Sequence, residues 1–247
     1  MIRLKINLIL EALYRIFNLI FSYFLYFIHF FFYIFKRNKV GRWILEIAAL
    51  KLLLSMGVDL NNIKDIKQDI TERKVIYIAN HDSPLDFLLV QGVFKLTGIT
   101  TAHKHLFFLL PFIGIAIKQY GHLTLDHLNK NSRFRSIKKL QDNLIKRNKI
   151  FLHPSGSLVT KIQERLSSSV AFLSIKTDAL VIAFKINVYN QTIRDKELQY
   201  KPFKYLLNRL FSRKIKFTLS KQKIFDPRHY SDRKIMTNEM KKFYIYD

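Results

Sequence analysis

His81 and Asp86 lie five residues apart in the stretch Ile78-Ala79-Asn80-His81-Asp82-Ser83-Pro84-Leu85-Asp86, and these are the residues whose types and spacing could do chemistry. An imidazole titrates close to neutrality, so at physiological pH it can take a proton from a hydroxyl. A carboxylate bonded to its other nitrogen fixes the tautomer and stabilises the imidazolium that forms. The same residues also read as a helix start. Ser83-x-x-Asp86 has the form of a capping box, in which the acid only answers the N–H groups of the first turn. Both readings stand at this point: a general base with its orienting acid, or a cap.

The flanking elements decide whether the pair can meet. Val75-Ile76-Tyr77-Ile78-Ala79 is a β-branched and aromatic run that predicts a buried strand. Ser83-Pro84 offers an N-cap residue and then proline at the first helical position, and the apolar run 85–96 continues as a helix. His81 is therefore expected in a tight strand-to-helix turn, with Asp86 about one turn into the helix. Downstream the pattern alternates: strand 99–103, broken helix 106–119, strand 122–125, helix 132–147, strand 149–153, short helix 169–176 and strand 180–188. A basic amphipathic helix at 203–211, a strand at 214–219, a turn at Asp226-Pro227 and a helix from Ser231 complete the chain. Upstream, 41–57 has apolar residues at helical spacing and ends on Gly57, a C-terminal stop signal, while 58–74 is polar and reads as a loop or a poorly regular strand leading into the core. This alternation predicts an α/β fold, a mostly parallel sheet flanked by helices. The expected division is N-terminal membrane-associated helices at 1–57 and an α/β domain at 58–247.

With no cysteine among 247 residues, disulfides, zinc thiolate sites and cysteine nucleophiles are excluded. A net charge of +24 predicts attraction to a polyanion, although the abundance of Lys, Ile, Phe and Asn also fits an AT-rich gene. The N-terminus discriminates among polyanions. Residues 16–35 form an apolar run interrupted only by Asn18, Ser22 and His29, followed by Lys36-Arg37-Asn38-Lys39. As a helix it would span about 30 Å, the thickness of a bilayer's hydrocarbon core. It is too long for a signal peptide and no small-residue cleavage site follows. Either it spans the membrane once, with the basic cluster and catalytic domain facing the cytoplasm, or residues 4–35 and 43–56 lie as helices in one leaflet. The second arrangement puts Arg3, Lys5, Arg15 and Lys36 at headgroup level. Both make the partner a membrane, not nucleic acid.

Asn-His-x-Ser-x-x-Asp after a strand resembles the first motif, H-x-x-x-x-D, of the glycerolipid acyltransferases typified by 1-acyl-glycerol-3-phosphate acyltransferase. The family's later blocks follow in order. Residues 104–126, with Pro111-Phe112-Ile113-Gly114 and Gly121-His122-Leu123-Thr124-Leu125-Asp126-His127, resemble the second, which usually ends in F-I-D-R. Phe151-Leu152-His153-Pro154-Ser155-Gly156-Ser157-Leu158 resembles the third, F-P-E-G-T-R, and Ala179-Leu180-Val181-Ile182-Ala183-Phe184 the buried strand beyond it. The likeness covers roughly residues 70–230.

The resemblance implies acyl transfer from a thioester to the hydroxyl of a lysophospholipid, first of all 1-acyl-glycerol-3-phosphate giving phosphatidic acid. Acyl-CoA or an acyl-carrier protein is then the co-substrate, with no other cofactor and no metal. His81 would be the base, Asp86 its partner and Lys104 the second-block lysine that meets the acceptor's phosphate. Backbone N–H groups near Gly156 or His81 are candidates for the oxyanion. Three positions depart from the pattern: Ser155 replaces an acid, and Leu158 and His127 replace arginines suited to holding phosphate. Lys161, Arg165 or Lys118 could compensate, and Gly156 with the hydroxyls of Ser155 and Ser157 still offers a phosphate a polar turn. His153 is either a structural histidine or a pocket residue. Those departures leave open a different lyso acceptor, or a silent relative that binds membrane or acyl-carrier protein.

Overall fold

The computed structural model describes residues 2–34, 38–59, 72–81, 83, 85–96, 99–100, 120, 123–124, 130–154, 166–190, 201–212 and 214–245. The β-branched run around Tyr77 forms a strand, β2 (Val75–Ala79), buried along its whole length; β1 (Val58–Asp59) precedes it. The short β3 (Ile99–Thr100) and β4 (Leu123–Thr124) pair with each other in parallel, apart from the main sheet. β5 (Lys149–Leu152), β6 (Leu180–Tyr189) and β7 (Ile215–Phe225) join β1 and β2 in a five-stranded sheet of order β1-β7-β6-β2-β5. β5, β2 and β6 run parallel and β1 runs parallel to β7, but β6 and β7 pair antiparallel. The sheet is thus mostly parallel, with one reversed junction.

Because side chains alternate along a strand, β2 feeds two cores. Val75, Tyr77 and Ala79 pack on one face, and Ile76 and Ile78 on the other. The first face is covered by α2 (Asn38–Ser55), through Leu45, Ala48, Ala49 and Leu52, and by the segment after β2. The second is covered by α4 (Lys130–Arg147), α5 (Ser169–Thr177) and α7 (Arg233–Ile245), through Leu140, Leu144, Val170, Leu173, Met236 and Met240. The helix expected from residue 84 starts later. It consists of α3 (Asp86–Leu88) running directly into a π-helical turn, Leu89–Val93. The strand expected to end at residue 219 continues to Phe225, because β7 pairs with nearly all of β6.

α1 (Ile2–Ile34) wears its polarity on the inside. Arg15, Asn18, Ser22, Tyr26 and His29 recur every three or four residues, so they share one stripe, and all are buried. Ser22 donates to Ala48 O at 2.8 Å, and His29 Nδ1 donates to Gly41 O at 3.0 Å, fastening α1 to α2. The opposite side presents Leu13, Phe17, Ile20, Phe24, Phe27 and Phe31 to the exterior. The one described helix long and apolar enough to cross a membrane is this one, over Ile9–Phe32.

Arg15, expected to reach out to headgroups, turns the other way. It points into the protein, 4% exposed, and donates to the carbonyls of Arg209 (2.9 Å), Leu210 (3.3 Å) and Ser212 (2.6 Å). These are the last carbonyls of α6 (Pro202–Phe211), the negative end of its dipole, and Glu11 pairs with the same guanidinium. The side chains of Arg3, Lys5 and Lys36 lie outside the described residues. Gly57 closes α2 with φ +72°, and a Cβ there would lie 2.6–2.8 Å from Cζ, Nη2 and Nη1 of the Arg15 guanidinium. Gly57→Ala therefore combines left-handed strain with a clash against a buried cation. It is expected to cost at least about 2 kcal/mol in denaturant unfolding. Unchanged stability would show that the clasp yields freely.

Candidate active site

The site stands at the carboxyl ends of two neighbouring parallel strands, the usual place for ligands in an α/β sheet. The register pairs Ile78 with Leu152, so the chain leaves β2 and β5 side by side. His81 follows β2 by two residues and His153 follows β5 at once. Asn80 holds the end of β2 in place: its Nδ2 donates to Ile186 O at 2.7 Å and its Oδ1 accepts from Ile186 N at 2.7 Å. That two-way bond reaches past a register shift at Phe184/Lys185 and makes Asn80 act as one more rung of the ladder. Sequence reasoning gave Asn80 no role. An asparagine at the last position before the turn, able to donate and accept at once, was the available signal.

His81 and Asp86 meet. The His81 Nδ1–H donates to Asp86 Oδ2 at 2.9 Å, with Asp86 completely buried and the His81 side chain 15% exposed. The Ser83-x-x-Asp86 pattern closes the turn just before α3 and does not cap the helix, whose N-cap position is Leu85: Ser83 N–H donates to the same Oδ2 at 3.2 Å while Ser83 Oγ accepts from Leu85 N–H at 3.2 Å. One carboxylate oxygen therefore fixes the turn and the imidazole together. With Nδ1 engaged, His81 Nε2 is the nitrogen left to take a proton.

His153 lies against this pair. Its ring stacks on His81 with centroids 4.2 Å apart and 20° between planes, and meets Phe151 edge-on at 4.9 Å. Its Nδ1 donates to Asn80 O at 3.0 Å and, more weakly, to Ala79 O at 3.3 Å. Burial pushes His81 down to about 4, although the carboxylate beside it favours its cation. Burial, and then the neighbouring His81, push His153 down to about 3. Both rings are neutral at pH 7, which is the state a base needs.

Ligand-type atoms of His81, Asp86 and His153 fall within 4.8 Å of one another, so an ion must be considered. The geometry suits one poorly. A metal needs in-plane lone pairs converging on a point about 2.0–2.2 Å away. Here the rings lie face to face, and one nitrogen of each already donates to oxygen. What the arrangement offers instead is a neutral imidazole oriented by a buried carboxylate, a pair able to exchange a proton with a hydroxyl. Lys104, Ser155, Gly156 and Ser157, the expected acceptor-binding residues, lie outside the described residues, as do Asp126, His127 and Leu158.

Comparison with known proteins follows this geometry. A family model described as Acyltransferase matches residues 58–194, more than half of the chain. No curated protein matches it. Among solved structures, the chain is similar to the crystal structure of the 1-acyl-sn-glycerophosphate (LPA) acyltransferase PlsC from Thermotoga maritima. The TM-score is 0.55 at 18% identity, covering 97% of this chain and 95% of that one. At that identity the likeness is one of fold.

The two depressed histidines carry a linkage consequence. Each is harder to protonate folded than unfolded, so the stability they protect is complete above the unfolded value of 6.5 and drains away towards about 4 and 3. Melting temperature is expected to be flat just above pH 7 and to fall progressively below pH 6.5. His153→Phe should flatten part of that fall. A variant with the full wild-type slope would place the titration elsewhere.

Proposed function

Since the chain belongs to the acyltransferase family, we propose that it is a membrane-bound enzyme moving a fatty acyl group from a thioester to the hydroxyl of a lysophospholipid. The donor is acyl-CoA or an acylated carrier protein. The acceptor is 1-acyl-glycerol-3-phosphate and the product phosphatidic acid. The observation that carries this reading is the 2.9 Å bond from His81 to the buried Asp86, which leaves Nε2 as a neutral base at the open end of the sheet. The acceptor's hydroxyl gives its proton to Nε2 while its oxygen attacks the thioester carbonyl carbon. The tetrahedral intermediate then breaks its C–S bond, and the departing thiolate takes the proton back from the imidazolium. Asp86 stabilises that imidazolium. No enzyme nucleophile enters the sequence. The choice of acceptor is supported by the activity in the structural neighbour's name.

If this is right, His81→Ala should lower turnover by about 10²–10⁴-fold. Asp86→Asn should lose most activity while staying folded, because asparagine can still accept from Ser83 N–H but carries no charge for the imidazolium. The double mutant should be little worse than His81→Ala alone. An assay in membranes with both donors decides it, and normal turnover by Asp86→Asn would remove Asp86 from the chemistry.

Membrane attachment is proposed through the outer face of α1, with the catalytic domain on the cytoplasmic side. A helix whose polar stripe faces protein and whose aromatic stripe faces outward has the polarity of a surface bathed in lipid. Its inward bonds tie it to α2 at Ser22 and His29 and to the end of α6 at Arg15, and α2 in turn covers one face of the sheet. A single span would have to give those up, so the in-plane arrangement is favoured. The double substitution Phe17→Lys/Phe24→Lys, at positions 62% and 54% exposed, should leave thermal unfolding in detergent unchanged and abolish flotation with anionic vesicles. Undiminished flotation would assign the lipid contact to another surface.

A further inference from the structure

We propose that His153 reads the acyl acceptor: its Nε2 accepts a hydrogen bond from an O–H group standing next to the hydroxyl that reacts at His81. This rests on the acyl-acceptor reading of the site given above. Because Nδ1–H is committed to the Asn80 and Ala79 carbonyls, the tautomer is fixed and Nε2 is a lone pair, an acceptor and nothing else. That atom is buried and has no hydrogen-bond partner among the described residues. Buried acceptors left unmet are uncommon and unfavourable, and at the edge of a reaction site they point to a donor brought by the ligand.

The placement says which donor. His81 and His153 are stacked 4.2 Å apart, each anchored through Nδ1 and each with Nε2 left over. Two imidazoles in contact offer two acceptor atoms, one for the hydroxyl that loses its proton and one for its neighbour. Burial keeps His153 neutral, so it remains an acceptor at pH 7. His153 also occupies the position where the F-P-E-G-T-R block has phenylalanine. Phenylalanine would keep the ring against His81 and bring no acceptor, so the nitrogen is an addition to the frame. The O–H group it takes can come from a polyol hydroxyl or from the protonated oxygen of a phosphate monoester.

The test compares the full chain with His153→Phe on two matched acceptor pairs, offering acyl-CoA and acylated carrier protein in turn. One pair is 1-acylglycerol and its 3-O-methyl ether. The other is 1-acyl-glycerol-3-phosphate and its methyl phosphodiester. The wild type should favour the O–H member of one pair by about ten- to a hundred-fold in kcat/KM, and the pair that shows it identifies the source. His153→Phe should lose that preference while turning over the blocked member within a few-fold of wild type. A preference equal in both proteins, or absent from the wild type, overturns the inference and leaves the acyltransferase reading standing. So does a folded His153→Phe protein that loses activity on all four acceptors alike, because His153 then serves the chemistry or the placing of His81. A wild type inactive on every acceptor with both donors would overturn the acyl-acceptor reading, and this inference with it.

Discussion

A completely buried carboxylate is the constraint on which the rest of this structure depends. Asp86 is shut away from water, and an ionised acid in that position is tolerable only if donors are held rigidly against it. His81 and the Ser83 amide supply them on one oxygen. Each then needs its own support. The Asn80–Ile186 clasp keeps β2 from fraying just where the turn begins, and the parallel pairing with β5 sets the His153 ring face to face with the imidazole. The segment that carries Asp86 passes into a π-helical turn whose Gly92 lies so close to α2 that a Cβ would stand 2.8 Å from Leu50 N. The turn that joins His81 to Asp86 is thus wedged between sheet and helix.

This arrangement brings together the two contacts between which the spacing left a choice, one to the turn and one to the imidazole. A turn-closing acid and an orienting acid are usually treated as rival explanations, yet both ask for the same thing, an oxygen held at the start of a helix. Asp86 does both because Oδ2 can accept from two donors at once. A residue that stiffens the turn also sets the angle of the His81 ring, so both draw on one atom.

Much of the frame was legible. Strands at Tyr77, Phe151 and Ile182 and the helices at 130–147 and 169–177 declare themselves through β-branched runs and helical spacing. What sequence patterns could not show were contacts between distant segments. Nothing local marks Arg15 as buried, since its partners are backbone carbonyls of residues 209–212, which any sequence would present. The antiparallel junction of β6 and β7 depends on strand order, which periodicity does not encode. The stack of His153 on His81 follows from the register of β2 with β5, visible only once the sheet exists. His81 and Asp86 were readable because the turn that joins them is short.

The Arg15 clasp also has a timetable. Its guanidinium leaves the ribosome 194 residues before the first carbonyl that will receive it. At ordinary synthesis speeds of about 5–20 residues per second, that is a wait of roughly 10–40 s. The α2 partners of its polar stripe, Gly41 and Ala48, emerge early in that wait, while the aromatic face stays uncovered. The nascent chain must be sheltered by whatever surface it meets first.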